Sequence, residues 1–455
     1  MTASGQTAEK PSPAGAPDAA QPGAWLALSV LVLINLFNYI DRQVLAAVEK
    51  YIRPEFFPKV INPATGQAEE PHEARFWMGL LSTAFLITYM LTAPLFGWLA
   101  NRMRRWVLVG IGVILWSLAS GGSGLATVYG VMLLTRCFVG IGEAVYGPVA
   151  PVMIADLYPV KRRGQVMSWF YAAIPVGGAL GYALGDRATH YSGTWRTAFY
   201  MVVVPGLLLG VWCFLMPEPR RGQSDATTLT RQKERWSDYL ILAKTPSYVL
   251  NTLGMTAMTF AIGGLAYWVP SYLEERRVAP LWTVPPDTAF GGLTALSGLA
   301  ATLLGGIAGD RLRRRFSGSY FLVSGTAMVL AFPMLLLLTW APFPWAWIPL
   351  AACVFLLFFN TGPTNTILAN VTHPLLRAPG FALNILIIHL FGDAISPPVM
   401  GAIAGLYPEG QYPPGTGNAV AFRVVSVMML VGGVLWLWGA RYLERDTALA
   451  PHRLD

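Results

Sequence analysis

The chain has 455 residues, 54% of them hydrophobic and only 12% charged, with a mean hydropathy of +0.49, whereas a soluble protein carries about 25% charged residues. That balance excludes a soluble globular or a disordered protein and marks an integral membrane protein. The formal net charge of +8 reads as a topology signal rather than a nucleic-acid footprint, because the basic residues are sorted by side of the membrane.

Residues 1–23 are rich in Ala, Gly and Pro and carry one Lys. They lack the basic start, apolar core and cleavage site of a signal peptide, so a disordered tail that stays attached is expected. A helix rising 1.5 Å per residue needs about 20 apolar residues to cross roughly 30 Å of hydrocarbon. Twelve stretches qualify: 24–48, 76–100, 106–124, 127–155, 165–187, 195–216, 246–272, 288–309, 318–340, 344–371, 378–404 and 419–441. The charged interruption at 217–245 divides six spans from six, giving a first bundle over 24–216, a linker, a second bundle over 246–442 and a tail over 443–455. From Lys233 onward the linker sets Trp236, Tyr239, Leu240 and Leu242 among charges, the pattern of a short helix on the membrane surface. With the first tail in the cytoplasm, about 21 basic residues fall on that side against 9 on the other, so both termini are expected there. The three cysteines, Cys137, Cys213 and Cys353, lie inside apolar stretches without metal or disulfide spacing.

After the second span comes "GWLANRMRR" and after the eighth "GIAGDRLRR". They superpose Gly97 on Gly306, Arg102 on Arg311, Arg104 on Arg313 and Arg105 on Arg314. Two such loops at equivalent places mark a duplicated six-helix unit, the architecture in which two halves rock about a central cavity. The loops resemble the signature of the major facilitator superfamily, in which this latch shuts the cytoplasmic ends of the helices in the outward-open state. The glycines permit close helix approach and the arginines pair with carboxylates and helix C-termini; Asp156 is the expected partner. The first copy departs from the family pattern with Asn101 where the second keeps Asp310.

Charges inside the spans are costly unless paired or wet. The first span places Asp41 beside Arg42, with Asn38 on the same face, and Asp41 lies about 24 Å along the helix from Trp25. The fourth span carries Arg136 and Glu143 on one stripe, separated by about 10 Å. A contact of Asp41 with Arg136, leaving Arg42 for a ligand, fits these depths, and so does the reverse assignment. His389 and Asp393, one turn apart in the eleventh span, form a second-half pair. All of these read either as helix-stapling ion pairs or as cavity charges, the carboxylates Asp41 and Glu143 carrying protons and the arginines gripping an anion. Gly177, Gly181 and Gly185 form a packing stripe or, with Pro175, a hinge. Asn360, Thr361, Thr364 and Asn365 interrupt the tenth span and suggest a cavity wall or a gating kink.

Two families open with a similar "NYIDR": anion:cation symporters and spinster-like carriers. The run "RCFVGIGEAVYGPVAPVMIADLYPVKRRGQVMSWFYAAIPVGGALGYALG" is similar to the spinster pattern, specifically over residues 36–187; the second half supports only the superfamily architecture. The resemblance implies an all-α carrier of two pseudo-symmetric six-helix bundles that moves lysolipids or sphingolipid phosphates in a proton-linked manner. Carried over, its cavity charges fall on Asp41, Arg42, Arg136 and Glu143. Met255, Met258, Phe260, Tyr267 and Trp268 read as an acyl-chain wall or as plain packing. A sugar acid or other carboxylate remains the alternative cargo. No zinc, nucleophile-elbow or nucleotide-binding motif is present in the sequence, so neither an enzyme nor a cofactor is expected. A monomer in a bacterial inner membrane is expected.

Overall fold

In a computed structural model, residues 20–61, 68–100, 102–158, 160–219, 236–373, 376–408 and 411–453 are described. The first half consists of α1 (Ala24–Phe56), α2 (Ala74–Ala100), α3 (Arg105–Gly124), α4 (Tyr129–Leu157), α5 (Val160–Ser192) and α6 (Arg196–Leu215). After the short α7 (Trp236–Ala243) come α8 (Pro246–Glu275), α9 (Pro286–Arg313), α10 (Ser319–Trp340), α11 (Trp347–Phe358) and α12 (Thr361–Val371). The chain ends with α13 (Arg377–Ile388), a π-helical turn (His389–Asp393), α14 (Ser396–Gly405), α15 (Thr416–Gly439) and α16 (Leu443–Leu449).

Among the described residues eleven helical stretches are long and apolar enough to cross a membrane. The twelfth expected span, α5, has the length at 33 residues, but its glycines and the Asp186–Arg187 pair dilute its hydropathy. Two expected single spans are each interrupted. The polar stretch around Asn360 separates α11 from α12, and the π-helical turn separates α13 from α14. α1 runs eight residues past its apolar stretch, to Phe56, because Glu49, Lys50 and Arg53 are neutralised by ion pairs rather than by water. The following loop holds a small hairpin unforeseen from the sequence, β1 (Val60–Ile61) paired antiparallel with β2 (Ala68–Glu69).

In the first half α1 lies along α5, α2 along α4, and α3 against α4 and α6. The second half repeats this: α8 packs on the π-helical turn and its flanking helices, α9 on α11 and α12, and α10 on α11 and α15. The halves meet through α2 with α14, its counterpart α5 with α9, and α1 with α8. Without a water-driven force between helices in lipid, close backbone approach supplies the attraction. The stripe of α5 does this: a Cβ on Gly177 would meet Leu36 O at 2.7 Å, and one on Gly181 would meet Ile40 O at 2.6 Å. The stripe therefore packs against α1.

Candidate functional site

A cavity of about 320 Å³ lies between α1, α2, α4 and α5 of one half and α8, α11 and the π-helical turn of the other. Arg42, Arg136 and Glu143 line it from the first half, and His389 and Asp393 from the second. Leu45, Leu86, Val139, Ile174, Ile262 and Phe358 give it a largely apolar wall, to which Gln43, Ser82 and Thr259 add neutral polar groups. The result is a charged patch in a largely apolar chamber, the usual form of a small-molecule site.

The sequence leaves open which arginine pairs with Asp41, and among the described ion pairs Asp41 is joined to neither. Arg42 Nε donates to Glu143 Oε2 at 2.7 Å, while the buried Asp41 carboxylate accepts from Ser120 on α3. Arg136, also buried, donates to Ser123 Oγ from Nη2 at 2.8 Å and lies over the Phe199 ring. Asp41 does not line the cavity; it sits one layer behind it, as does the buried Asn38. The physical reason is rotation: neighbouring residues on a helix diverge by about 100°, so Asp41 and Arg42 look in different directions. Asp41 Oδ2 and Glu143 Oε1 accept no protein hydrogen bond.

Arg42 is 25% exposed in its side chain, the most open of the four charges, and it is held in a cage that sequence reasoning missed. Its guanidinium carbon lies 4.9 Å from the Tyr39 ring centroid, 5.0 Å from that of Phe85 and 5.5 Å from that of Tyr89. Each ring face attracts a cation by about 0.5–2 kcal/mol. The signal was present: Tyr39 is three residues before Arg42, and Phe85 and Tyr89 share one face of α2.

In the second half His389 Nδ1 lies 3.0 Å from Asp393 Oδ1. The π-helical turn that carries them packs tightly on α8, where a Cβ on Gly263 would strike Asp393 and one on Gly392 would meet Thr259 at 3.0 Å. Such turns recur where a helix must redirect side chains. Asn360 and Asn365 are not at the cavity. Asn360 Nδ2 donates to Leu356 O at 3.0 Å, and the exposed Asn365 donates to Thr361 O at 2.8 Å. Both are spent on the break between α11 and α12. Of the proposed aromatic and methionine wall, only Tyr267 reaches the cavity, and its hydroxyl donates to Met78 O. Met255, Met258 and Trp268 are core.

The two faces of the molecule differ. At the face that carries the termini, Arg105 forms a buried ion pair with Asp156, as expected, and its backbone N–H donates to Glu218 Oε1 at 2.9 Å. In this conformation a Cβ on Gly97 or Gly306 would meet nothing within 4 Å. Arg102 stacks on Trp98 at 3.8 Å, Asp310 accepts from Tyr320, and Arg311 and Arg314 are exposed. Asn101 lies outside the described residues. At the opposite face the halves are locked. Arg75 Nη1 lies 2.7 Å from Glu275, Lys50 Nζ 2.8 Å from Asp287, and Arg53 3.6 Å from Glu275. A Cβ on Gly79 would meet the Pro397–Pro398 backbone at 2.5 Å. Sequence reasoning placed Lys50, Arg53 and Arg75 on this side but did not set them against the acids Glu274, Glu275 and Asp287 on the same side.

A family model described as Major Facilitator Superfamily matches residues 31–392. Protein spinster homolog 3 of Danio rerio is 32% identical over 453 residues, covering 94% of this chain and 87% of the relative. The chain belongs to the spinster family of that superfamily. This spinster relative shares its fold with a bacterial homolog to the human lysosomal transporter spinster, solved in an inward-facing and unoccupied conformation, with a TM-score of 0.79 and 21% identity over 94% of this chain and 99% of the other. A D-xylose-proton symporter follows at TM-score 0.69 and 17% identity, covering 90% of this chain and 96% of that one. The protein is a membrane-embedded transporter of small-molecule substrates.

Proposed function

We propose that the chain is a proton-coupled carrier of amphipathic lipids of lysophospholipid or sphingolipid-phosphate type, working as a monomer by rocker-switch alternating access. In this reading twelve spans cross a bacterial inner membrane, both termini and the linker face the cytoplasm, and the present conformation is open to that side. The observation that carries it is the Arg42–Glu143 pair at the charged patch of a largely apolar cavity.

While Glu143 is ionised it occupies Arg42 Nε. When Glu143 takes a proton on either carboxylate oxygen, Arg42 turns its fork of donors to the anionic headgroup. The aromatic rings around Arg42 hold that fork in place, and the acyl chain lies along Leu45, Ile174 and Phe358. Asp41 is the second proton carrier, acting from behind through its free Oδ2, and Arg136 is the second anion binder. His389 and Asp393 complete the polar lining from the other half. Asn38 faces Glu143 and steadies its carboxylate. The latch of Gly97, Arg102, Arg105 and Asp156, with Gly306, Asp310, Arg311 and Arg314, closes the cytoplasmic face in the alternate state. A ligand shifts such an equilibrium only through unequal affinity for the two states, which a cavity lined from both halves provides.

A cavity of this volume also encloses a small carboxylate whole, which keeps an organic anion:proton symporter as the second reading. Proteoliposomes with an imposed pH gradient, loaded in turn with a lysophospholipid and a sugar acid, separate the two. The lipid reading expects gradient-driven lysophospholipid flux that loses its pH dependence in Glu143→Gln and Asp41→Asn. Sugar-acid flux alone, or a full pH response in both variants, overturns it.

A further inference from the structure

The seal at the face away from the termini is more than an ion-pair zipper, because carboxylates from opposite halves converge on one lysine. Lys50 Nζ on α1 stands 2.8 Å from Asp287 on α9, 3.2 Å from Asp186 on α5 and 3.5 Å from Glu274 on α8. The side chains of Lys50, Asp287 and Asp186 are 8%, 3% and 17% exposed, while that of Glu274 is 61% exposed and wet. Tyr51 donates its hydroxyl to Asp186 Oδ1 at 3.1 Å, and Tyr182 on α5 spends its hydroxyl on Ala266 O. Beside this group Arg53 meets Glu49, Glu70 and Glu275, and Arg75 meets Glu70 and Glu275. Among the described residues these pairs set three cations (Lys50, Arg53, Arg75) against six carboxylates (Glu49, Glu70, Asp186, Glu274, Glu275, Asp287), and Lys59 and Arg277 line the outer pocket beside Glu70, Glu274 and Glu275, a pocket that neither Asp186 nor Asp287 lines.

The placement of the excess matters. Asp186 belongs to the first half and Asp287 to the second, and the two converge on one ammonium where α5 packs against α9. Two buried carboxylates sharing one cation repel unless a proton is held between them, and such a pair takes up and gives up that proton as a unit. We propose that Asp186 and Asp287, bridged by Lys50, form a second proton-binding site, separate from the cavity, whose occupancy holds the two halves together at the outer face. With the proton bound, one carboxylic acid donates to the other carboxylate across the seam and the face stays shut. As pH rises the proton leaves, two carboxylates and the wet Glu274 confront a single ammonium, and repulsion parts α5 from α9. Acid closes this gate and alkali opens it. The proposal rests on the alternating-access reading but not on the cargo or on the cavity carboxylates.

The test uses the full chain in lipid nanodiscs, with Cys137, Cys213 and Cys353 replaced and spin labels at Tyr191 and Trp282, both exposed at this face. A titrating group whose proton affinity differs between two states by one unit changes their ratio about tenfold. The open fraction is accordingly expected to rise about tenfold between roughly pH 5 and pH 8.5 in the parent. In Asp287→Asn and in Asp186→Asn the change should fall below about twofold, with the face closed throughout; Asp186→Asn, at the wetter of the two positions, serves if Asp287→Asn does not fold. Glu55→Gln, at an exposed carboxylate of the same face that pairs with Arg196 within the first half, should keep the parental response. A parent without pH response, seam variants that retain it, or its loss in Glu55→Gln would each overturn the proposal. Failure of lipid transport alone leaves this distance readout untouched.

Discussion

Adding one methyl group at two equivalent-looking glycines should push the carrier in opposite directions. A Cβ on Gly79 would sit 2.5 Å from Pro397 C, Pro397 O and Pro398 N. These are backbone atoms, so no rotamer change relieves the clash, and α2 must part from α14 by roughly 1 Å to restore ordinary contact. Overpacking of this kind costs about 1–3 kcal/mol, which disfavours the sealed conformation by a factor of roughly 5–150 relative to the alternate state. A Cβ on Gly97 meets nothing within 4 Å here, so Gly97→Ala costs nothing in this conformation and is penalised only when the latch closes. The assay is the rate at which a membrane-impermeant thiol reagent modifies Ser82→Cys, a cavity position, from each face of oriented proteoliposomes, the native cysteines having been replaced. Gly79→Ala should raise modification from the outer face and lower it from the terminal face; Gly97→Ala should do the reverse or change nothing. Identical shifts in both variants would refute the assignment of closed and open faces.

Removing one ring of the cage, by Phe85→Ala or Tyr89→Ala, takes about 0.5–2 kcal/mol from the positioning of Arg42. Transport assays should show a KM raised by roughly 2- to 30-fold with little change in maximal rate. Asp156→Ala leaves Arg105 buried without its carboxylate, a loss of about 3 kcal/mol, and thermal unfolding in detergent should show a clearly lower Tm. Exchanging the order of the first-span charges, Asp41→Arg with Arg42→Asp, conserves net charge and composition but sets two carboxylates face to face at Glu143. Cargo counterflow should vanish, and a double variant that transports at the parental rate would contradict the geometry of the site.

What could be read from the chain follows from how local each feature is. Apolar run lengths marked the spans, because crossing hydrocarbon is a demand that each helix meets alone. The glycines at 177, 181 and 185 were visible as a packing face for the same reason, since period four is a property of one helix. The break at Asn360 was visible too, but its meaning was not: whether those amides face a cavity or their own carbonyls depends on rotation of the helix, and they chose the carbonyls. The length of α1 was misjudged because Glu49 and Arg53, one turn apart, also meet Ser271 and Glu275 of the second half, contacts 222 residues away in sequence. The π-helical turn was invisible, being a slip of hydrogen-bond register that no residue type announces.

The adjacency of Asp41 and Arg42 invites the idea of a self-contained pair, and helical geometry forbids it. Consecutive side chains point about 100° apart, so one residue can face the interior of its own bundle only if the next faces elsewhere. Asp41 turns to Ser120 on α3, and Arg42 turns to Glu143 and the cavity. The four charges therefore divide into two layers. Arg42 and Glu143 meet the chamber directly, Asp41 stands behind them, and Arg136 reaches the chamber while anchored on Ser123. A change of charge at the outer layer alters the field felt by the inner one without touching it. Two adjacent residues of opposite sign are thus the shortest way for one helix to link the surface of the cavity to the interior of its half.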